Sequence, residues 1–293
     1  MAHSGQLTSH PFQSQPSKFP SDVEHAPRVA TSSHSGCKTE KLQIKVNDGH
    51  DGSFTAFFHR PDDSSGNSIS TVGVILLSGA GGGVTGPSGI YLSIADKLAS
   101  LPDGQAIPTL RMDYRYPARN KYCVSDVFAP MDWLQIESKL DINRFVLVGW
   151  SFGGAPAFTV GGKDKRVIGV ATVASQTAET EGIKEFAPAP VLLLHGTGDR
   201  TLSPRCSERL YEMYGSTKGQ RTLHLFPDDD HALTRNSKNA EEMICEFIVK
   251  CAGIALDTKV KNNIEADLGP DTVEEKIGIM KKGGDLGGLE HVE

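Results

Sequence analysis

Apolar residues in the middle of this chain come in short unbroken runs rather than in strict alternation. The runs fall at 72–78, 107–113, 145–150, 167–174, 191–195 and 221–226. Runs of that length fit strands covered on both faces, as in a parallel sheet. Between them lie helical segments at 90–100, 125–139, 152–161, 204–214 and 237–252. In the last, Ala240, Met243, Ile244, Phe247 and Ile248 recur every three or four residues and form one apolar face. Ahead of the runs, 42–46 and 53–59 read as two strands joined by the turn-forming stretch NDGHDG at 47–52. An antiparallel hairpin followed by six strands alternating with helices predicts an α/β fold, a three-layer sandwich around a mostly parallel sheet.

The pattern fades at both ends. Residues 1–36 are rich in Ser, Pro, His and Gln without periodicity, and too little apolar surface is present to offset the entropy of ordering, so a disordered arm is expected. Residues 254–293 are acidic and contain Gly283, Gly284, Gly287 and Gly288. They are expected to be a mostly disordered tail, with a short helix around 273–281 that has little to pack against. The folded domain is expected over 37–253. Thirty basic and 36 acidic side chains give a net charge of −6, with no basic stripe for nucleic acid or an anionic membrane. No apolar run approaches the ~20 residues of a membrane span, and the N-terminus lacks the apolar core of a secretory signal. The five cysteines are scattered, with no C-x-x-C pair, which reads as reduced thiols and a cytoplasmic protein.

Three segments carry candidate chemistry. Gly149-Trp150-Ser151-Phe152-Gly153 sits where the run 145–150 meets the helical segment 152–161. A strand-to-helix turn that sharp strains the backbone of the serine, demands small residues two before and two after it, and presents the hydroxyl at the carboxyl edge of the sheet. A serine hydroxyl is a weak nucleophile and needs a base with its own orienting group. The run 191–195 ends in Gly196-Thr197-Gly198-Asp199, and the run 221–226 ends in Pro227-Asp228-Asp229-Asp230-His231. Both loops put their functional group on that same carboxyl edge. The reading is Ser151 as nucleophile, His231 as base and Asp199 as acid, with Glu179 or Glu181 as alternative acids. His224 lies inside a strand and is the poorer base; His195 reads as a residue that structures the Asp199 loop. The third segment, SGAGGG at 78–83, lets backbone N–H groups approach a developing oxyanion. One donor is assigned to Phe152 and the other to Ala80 or its neighbours Gly79 and Gly81. SGAGGG lacks the Lys-Ser/Thr ending of a phosphate loop, no dinucleotide fingerprint follows it, and no H-x-x-x-H or H-E-x-x-H pattern is present. No cofactor and no metal are expected.

Taken together, GWSFGG, HGTGD and DDDHAL resemble the α/β-hydrolase superfamily over about 39–253. HGTGDRTLSP is similar to the dienelactone-hydrolase-like and acyl-peptidase catalytic cores. The resemblance implies the α/β-hydrolase sheet and a serine hydrolase acting through an acyl-enzyme. The type enzymes of the dienelactone group carry cysteine where this chain has Ser151, and the common His-Gly opening of the oxyanion segment is here Ser78-Gly79. About 15 residues separate Ala174 from Val191, too few for an inserted cap, so no cap domain is expected. The loops 82–89 and 114–124 then wall the pocket, where Arg115, Arg119 and Lys121 would favour an acidic substrate. The expected partner is a small-molecule ester or thioester with a compact acyl group. Acyl transfer, peptide cleavage or a lyase reaction on the same triad stay open, as does a ligand-binding protein with little turnover.

Overall fold

The computed structural model describes residues 18–27, 36–62, 69–215 and 219–287. Eight strands form one sheet: β1 (Cys37–Val46), β2 (Gly52–Pro61), β3 (Val72–Leu77), β4 (Thr109–Met112), β5 (Arg144–Trp150), β6 (Val167–Val173), β7 (Val191–Gly196) and β8 (Arg221–Phe226). Their order across the sheet is β1-β2-β4-β3-β5-β6-β7-β8. The β1–β2 and β2–β4 pairs are antiparallel, and every later pair is parallel. The hairpin and the parallel strands therefore stand as the hydrophobic pattern predicts.

The apolar runs of the central strands serve two cores. In β3, Ile75 and Leu77 point to one face while Val72, Val74 and Leu76 point to the other; in β5, Phe145 and Leu147 oppose Val146, Val148 and Trp150. The first face is covered by α2 (Asn120–Ile136), α3 (Gly154–Gly161), the short α4 (Ile183–Phe186) and α5 (Arg205–Tyr214). The second is covered by α1 (Ile90–Ala99) and α6 (Ser237–Cys251). No helix among the described residues is long and apolar enough to cross a membrane.

Both ends depart from the expectation of disorder. Beyond residue 253 the chain forms α7 (Thr258–Glu265) and α8 (Val273–Lys282), and Val260, Ile264, Leu268 and Met280 are buried. Asp257 caps α7 by accepting from the Val260 N–H, and Thr272 with Glu275 closes a capping box on α8. Each helix offers a few apolar side chains to a sheet face already built by α1 and α6, so the packing comes from that surface rather than from a stripe visible in the segment itself. Near the N-terminus, Phe19, Val23 and Ala26 are buried, and the carbonyl of Val23 accepts from Arg111 Nη2 at 2.8 Å. The rest of the expected arm (1–17 and 28–35) and the last residues of the expected tail (288–293) lie outside the described residues.

Candidate active site

Ser151 follows the last residue of β5 and has φ +52°, a left-handed backbone that a serine adopts only under constraint. A Cβ on Gly149 would come within 2.5 Å of the Gly153 carbonyl oxygen, and one on Gly153 within 2.6 Å of the Ser78 carbonyl oxygen. The elbow closes only because both are glycine, and this close approach sets the SGAGGG segment beside the serine.

The neighbouring loops converge on the same edge. His231 Nδ1–H donates to Asp199 Oδ2 at 2.7 Å, and both residues are buried. The backbone N–H groups of Thr201 and Leu202 donate to Asp199 Oδ1 at 2.8 Å each. His195 reaches Asp199 Oδ2 at 3.0 Å through Nε2, which also faces the Leu202 carbonyl at 3.1 Å; two acceptors at one nitrogen place the proton there, so Nδ1 accepts from Ser207 Oγ at 2.7 Å. Burial works to raise the Asp199 pKa, but donation from His195, His231 and the backbone prevails and holds it well below the usual carboxylate range. The carboxylate is thus a fixed anion, and its bond to Nδ1 leaves His231 Nε2 as the basic nitrogen.

Residues that the sequence reading did not single out hold these groups in place. Trp150, beside the serine and fully buried, donates from Nε1 to the His231 carbonyl at 3.0 Å, with the two rings 5.7 Å apart. Asp229 accepts from the N–H groups of Asp230, Arg235 and Asn236, and Asp230 accepts from those of Ala232 and Thr234. The acidic run before the histidine therefore staples its own loop. Of the alternatives, His224 lies on an exposed position of β8, while Glu179 and Glu181 are exposed on the loop after β6.

The SGAGGG segment is pinned as well. Gly82 N–H donates to the Gly79 carbonyl at 3.1 Å, and Gly83 N–H to Asp113 Oδ1 at 2.9 Å. Tyr114 donates to the Ser78 carbonyl at 3.3 Å and meets the ring of buried Phe152 edge-on at 6.1 Å. Gly79, Ala80 and Gly81 thus stand next to the elbow that carries Ser151 and Phe152. The basic wall expected at 114–124 is not free to attract substrate through Arg115, which is paired with Asp48 and Asp126; Arg119 and Lys121 are exposed. Instead, a cavity of about 490 Å³ opens beside His231, lined by Arg200, Thr201, Asp228, Asp230, Thr234, Arg235 and Val273 among others.

A separate group, half-buried Cys37 with buried His59 and Asp96, has metal-like spacing, but its atoms are already committed. Arg111 Nε–H donates to His59 Nε2 at 3.0 Å, so the His59 proton sits on Nδ1 and points at Asp96 Oδ1, 2.7 Å away. Burial, and then the Arg111 charge, push His59 down to about 4. A cation there would have to displace that proton beside a guanidinium, so the group reads as a core network.

A model of the dienelactone hydrolase family matches residues 102–250, half of the chain, and the matched span contains Ser151, Asp199 and His231. The chain belongs to the dienelactone hydrolase family. Membership agrees with the α/β-hydrolase fold of similar solved structures. A dienelactone hydrolase from Anabaena variabilis has TM-score 0.58 at 16% identity, covering 72% of this chain and 98% of that one. Est1E from Butyrivibrio proteoclasticus has TM-score 0.57 at 16% identity, over 75% and 100%. XC6422 from Xanthomonas campestris, described as a serine hydrolase without a lid, has TM-score 0.54 at 16% identity, over 73% and 94%. At such identity these likenesses speak for the fold alone. In sequence, YfhR from Escherichia coli K12 is 28% identical over 142 residues, 39% of this chain and 49% of that protein. The chain spans about half the length of the curated relatives it matches.

Proposed function

We propose that this member of the family is a serine hydrolase that cleaves a small or compact carboxylic ester or thioester through an acyl-enzyme. The observation that carries the reading is the 2.7 Å bond from His231 Nδ1 to a carboxylate that stays ionised, in a loop tied through Trp150 to the elbow of Ser151. In the first step Ser151 Oγ attacks the carbonyl carbon while His231 Nε2 takes its proton; the alcohol or thiol then leaves with that proton. In the second, His231 deprotonates a water that attacks the acyl carbon, and the acid departs as Ser151 recovers its proton. Asp199 fixes the tautomer and balances the imidazolium formed in each step. The N–H of Phe152 and one donor from Gly79, Ala80 or Gly81 stabilise the oxyanion.

Size preference follows from what surrounds the site. Between β6 and β7 the chain makes only loops and the four-residue α4, so no cap is inserted there. With no cap to cover it, an acyl chain that projects into water gains little of the ~0.8 kcal/mol per buried methylene. The five free thiols support a reducing, cytoplasmic setting. The decisive test is Ser151→Ala on a panel of p-nitrophenyl esters, with folding checked by circular dichroism. A fall in kcat of at least ~10³ is expected; retained turnover in a folded variant refutes the assignment.

A further inference from the structure

The loop that leaves β3 cannot hold its own shape. Gly82, Gly83, Gly86, Ser88 and Gly89 all have positive φ, so no regular ladder runs through it. What braces it on one side is a strap from the far end of the chain, the residues 283–287 that follow α8. Asp285 is fully buried there. Its Oδ1 accepts from the Gly86 N–H at 2.8 Å, and its Oδ2 accepts from the Thr85 N–H at 3.0 Å and the Thr85 hydroxyl at 2.6 Å. The Val84 N–H donates to the Gly283 carbonyl at 3.0 Å and lies 3.3 Å from Asp285 Oδ2. Three consecutive amides thus cradle one side-chain carboxyl group. The strap backbone also lies directly on Gly81, where a Cβ would meet the carbonyl oxygen of Asp285 and the N–H of Gly287 at 2.6 Å each.

We propose that Asp285 is a positioning residue for the reaction: by clamping Val84–Thr85–Gly86 it fixes the adjoining Gly79–Ala80–Gly81 turn so that its N–H groups meet the oxyanion. This rests on the serine-hydrolase reading given above. The loop has a second brace at Asp113, which holds the Gly83 N–H, so losing Asp285 leaves the turn present but loose. A loose donor is a poor one, because an oxyanion hole works by being in place before charge develops. No residue of the strap reacts. Its effect is felt at the carbonyl oxygen of the substrate.

The test compares Asp285→Ala with the wild type in the full chain, using p-nitrophenyl acetate and its thiono analogue, whose sulfur is a weak hydrogen-bond acceptor. A loosened hole slows the oxygen ester and leaves the sulfur ester little changed. We expect kcat on the oxygen ester to fall by about tenfold to a hundredfold, less than loss of a whole donor, with KM within about threefold. The preference for oxygen over sulfur falls in parallel. Amide exchange at Ala80–Gly83, read by mass spectrometry, speeds up. A folded variant with kcat and the oxygen preference within about threefold of the wild type overturns the proposal. So does a loss that vanishes on cooling well below the melting temperature, since that is stability alone. Should Asp285→Ala fail to fold, Thr85→Ala against Thr85→Ser decides: alanine must lower the oxygen preference, and serine, which keeps the hydroxyl, must restore it. If Ser151→Ala shows that ester turnover does not use the serine, the catalytic reading fails; the exchange measurement still judges the clamp, and unchanged exchange refutes it.

Discussion

Asp199→Asn is the substitution whose outcome the structure fixes most closely. Of the two carboxylate oxygens, Oδ1 receives the backbone N–H groups of Thr201 and Leu202, and Oδ2 receives both imidazoles. The amide oxygen of asparagine settles at Oδ1, because the two backbone donors cannot be turned around. Its NH₂ then faces His231 Nδ1, which must accept, and the proton moves to Nε2, where the base is needed. A histidine held in that tautomer cannot take the serine proton, and kcat should fall by about 10⁴ with KM little changed. Stability falls as well. Each of the four charge-assisted bonds to the carboxylate loses about 1 kcal/mol, the one to His195 because the NH₂ meets its Nε2–H donor to donor, a total near 4 kcal/mol and a melting shift of about 6 °C for a chain of this size. The acid-side profile changes too. Because the folded-state pKa of Asp199 is depressed, its contribution is present above the ordinary carboxylate pKa and is lost as the pH falls below it; the variant lacks that slope. Steady-state kinetics and thermal melts from pH 3 to 8 read both effects. A folded Asp199→Asn enzyme within tenfold of the wild type, or an equal loss in Glu179→Gln or Glu181→Gln, refutes the assignment of the acid.

Three further outcomes are expected. Trp150→Phe keeps the packing but leaves the buried His231 carbonyl without its donor, at a cost of about 1–3 kcal/mol, and a shifted imidazole should lower kcat by about tenfold, measured beside a thermal melt. Burial outweighs the donors around Asp285 and raises its pKa from 3.8 to about 7, with Tyr91 and Arg111 the ionisable groups that feel its charge; strap docking is therefore fullest below about pH 4 and weakens by up to about tenfold per unit as the pH rises to 7. Exchange at the Thr85 and Gly86 amides, corrected for intrinsic rates, should show that slope, and Asp285→Asn should flatten it. Across p-nitrophenyl esters from acetate to palmitate, kcat/KM should stop rising within a few carbons; a steady climb through about twelve would reveal a deep apolar channel.

The sheet was legible because its central strands carry an unbroken apolar run that serves both faces and its hairpin carries a turn signal. Edges blurred where single residues intervene. The run at 107–113 yields only Thr109–Met112, since Pro108 has no N–H to give the ladder, and α2 begins at Asn120 rather than 125. The loops bearing Ser151, Asp199 and His231 were legible because spacing relative to strand ends locates them. The supports were not. Trp150 looks like any core aromatic, Asp229 and Asp230 look like surface charge, and Asp285 sits in a glycine-rich stretch without periodicity. Trp150 and Asp285 act through bonds to loops distant in sequence, Asp229 and Asp230 through bonds within their own loop, and composition carries no trace of either.

The distance between Thr85 and Asp285, 200 positions along the chain, also says something about the order of assembly. Strands β3 to β8 and their helices can collapse around contacts of modest separation, whereas the strap must bridge nearly the whole domain and bear the loop-closure entropy of doing so. The segment 84–86 is brought into place early by its neighbours β3 and α1 and is braced late. A newly made chain would pass through a stage with its core formed and its glycine turn unbraced, so recovery of activity after refolding should lag behind recovery of the β-sheet signal.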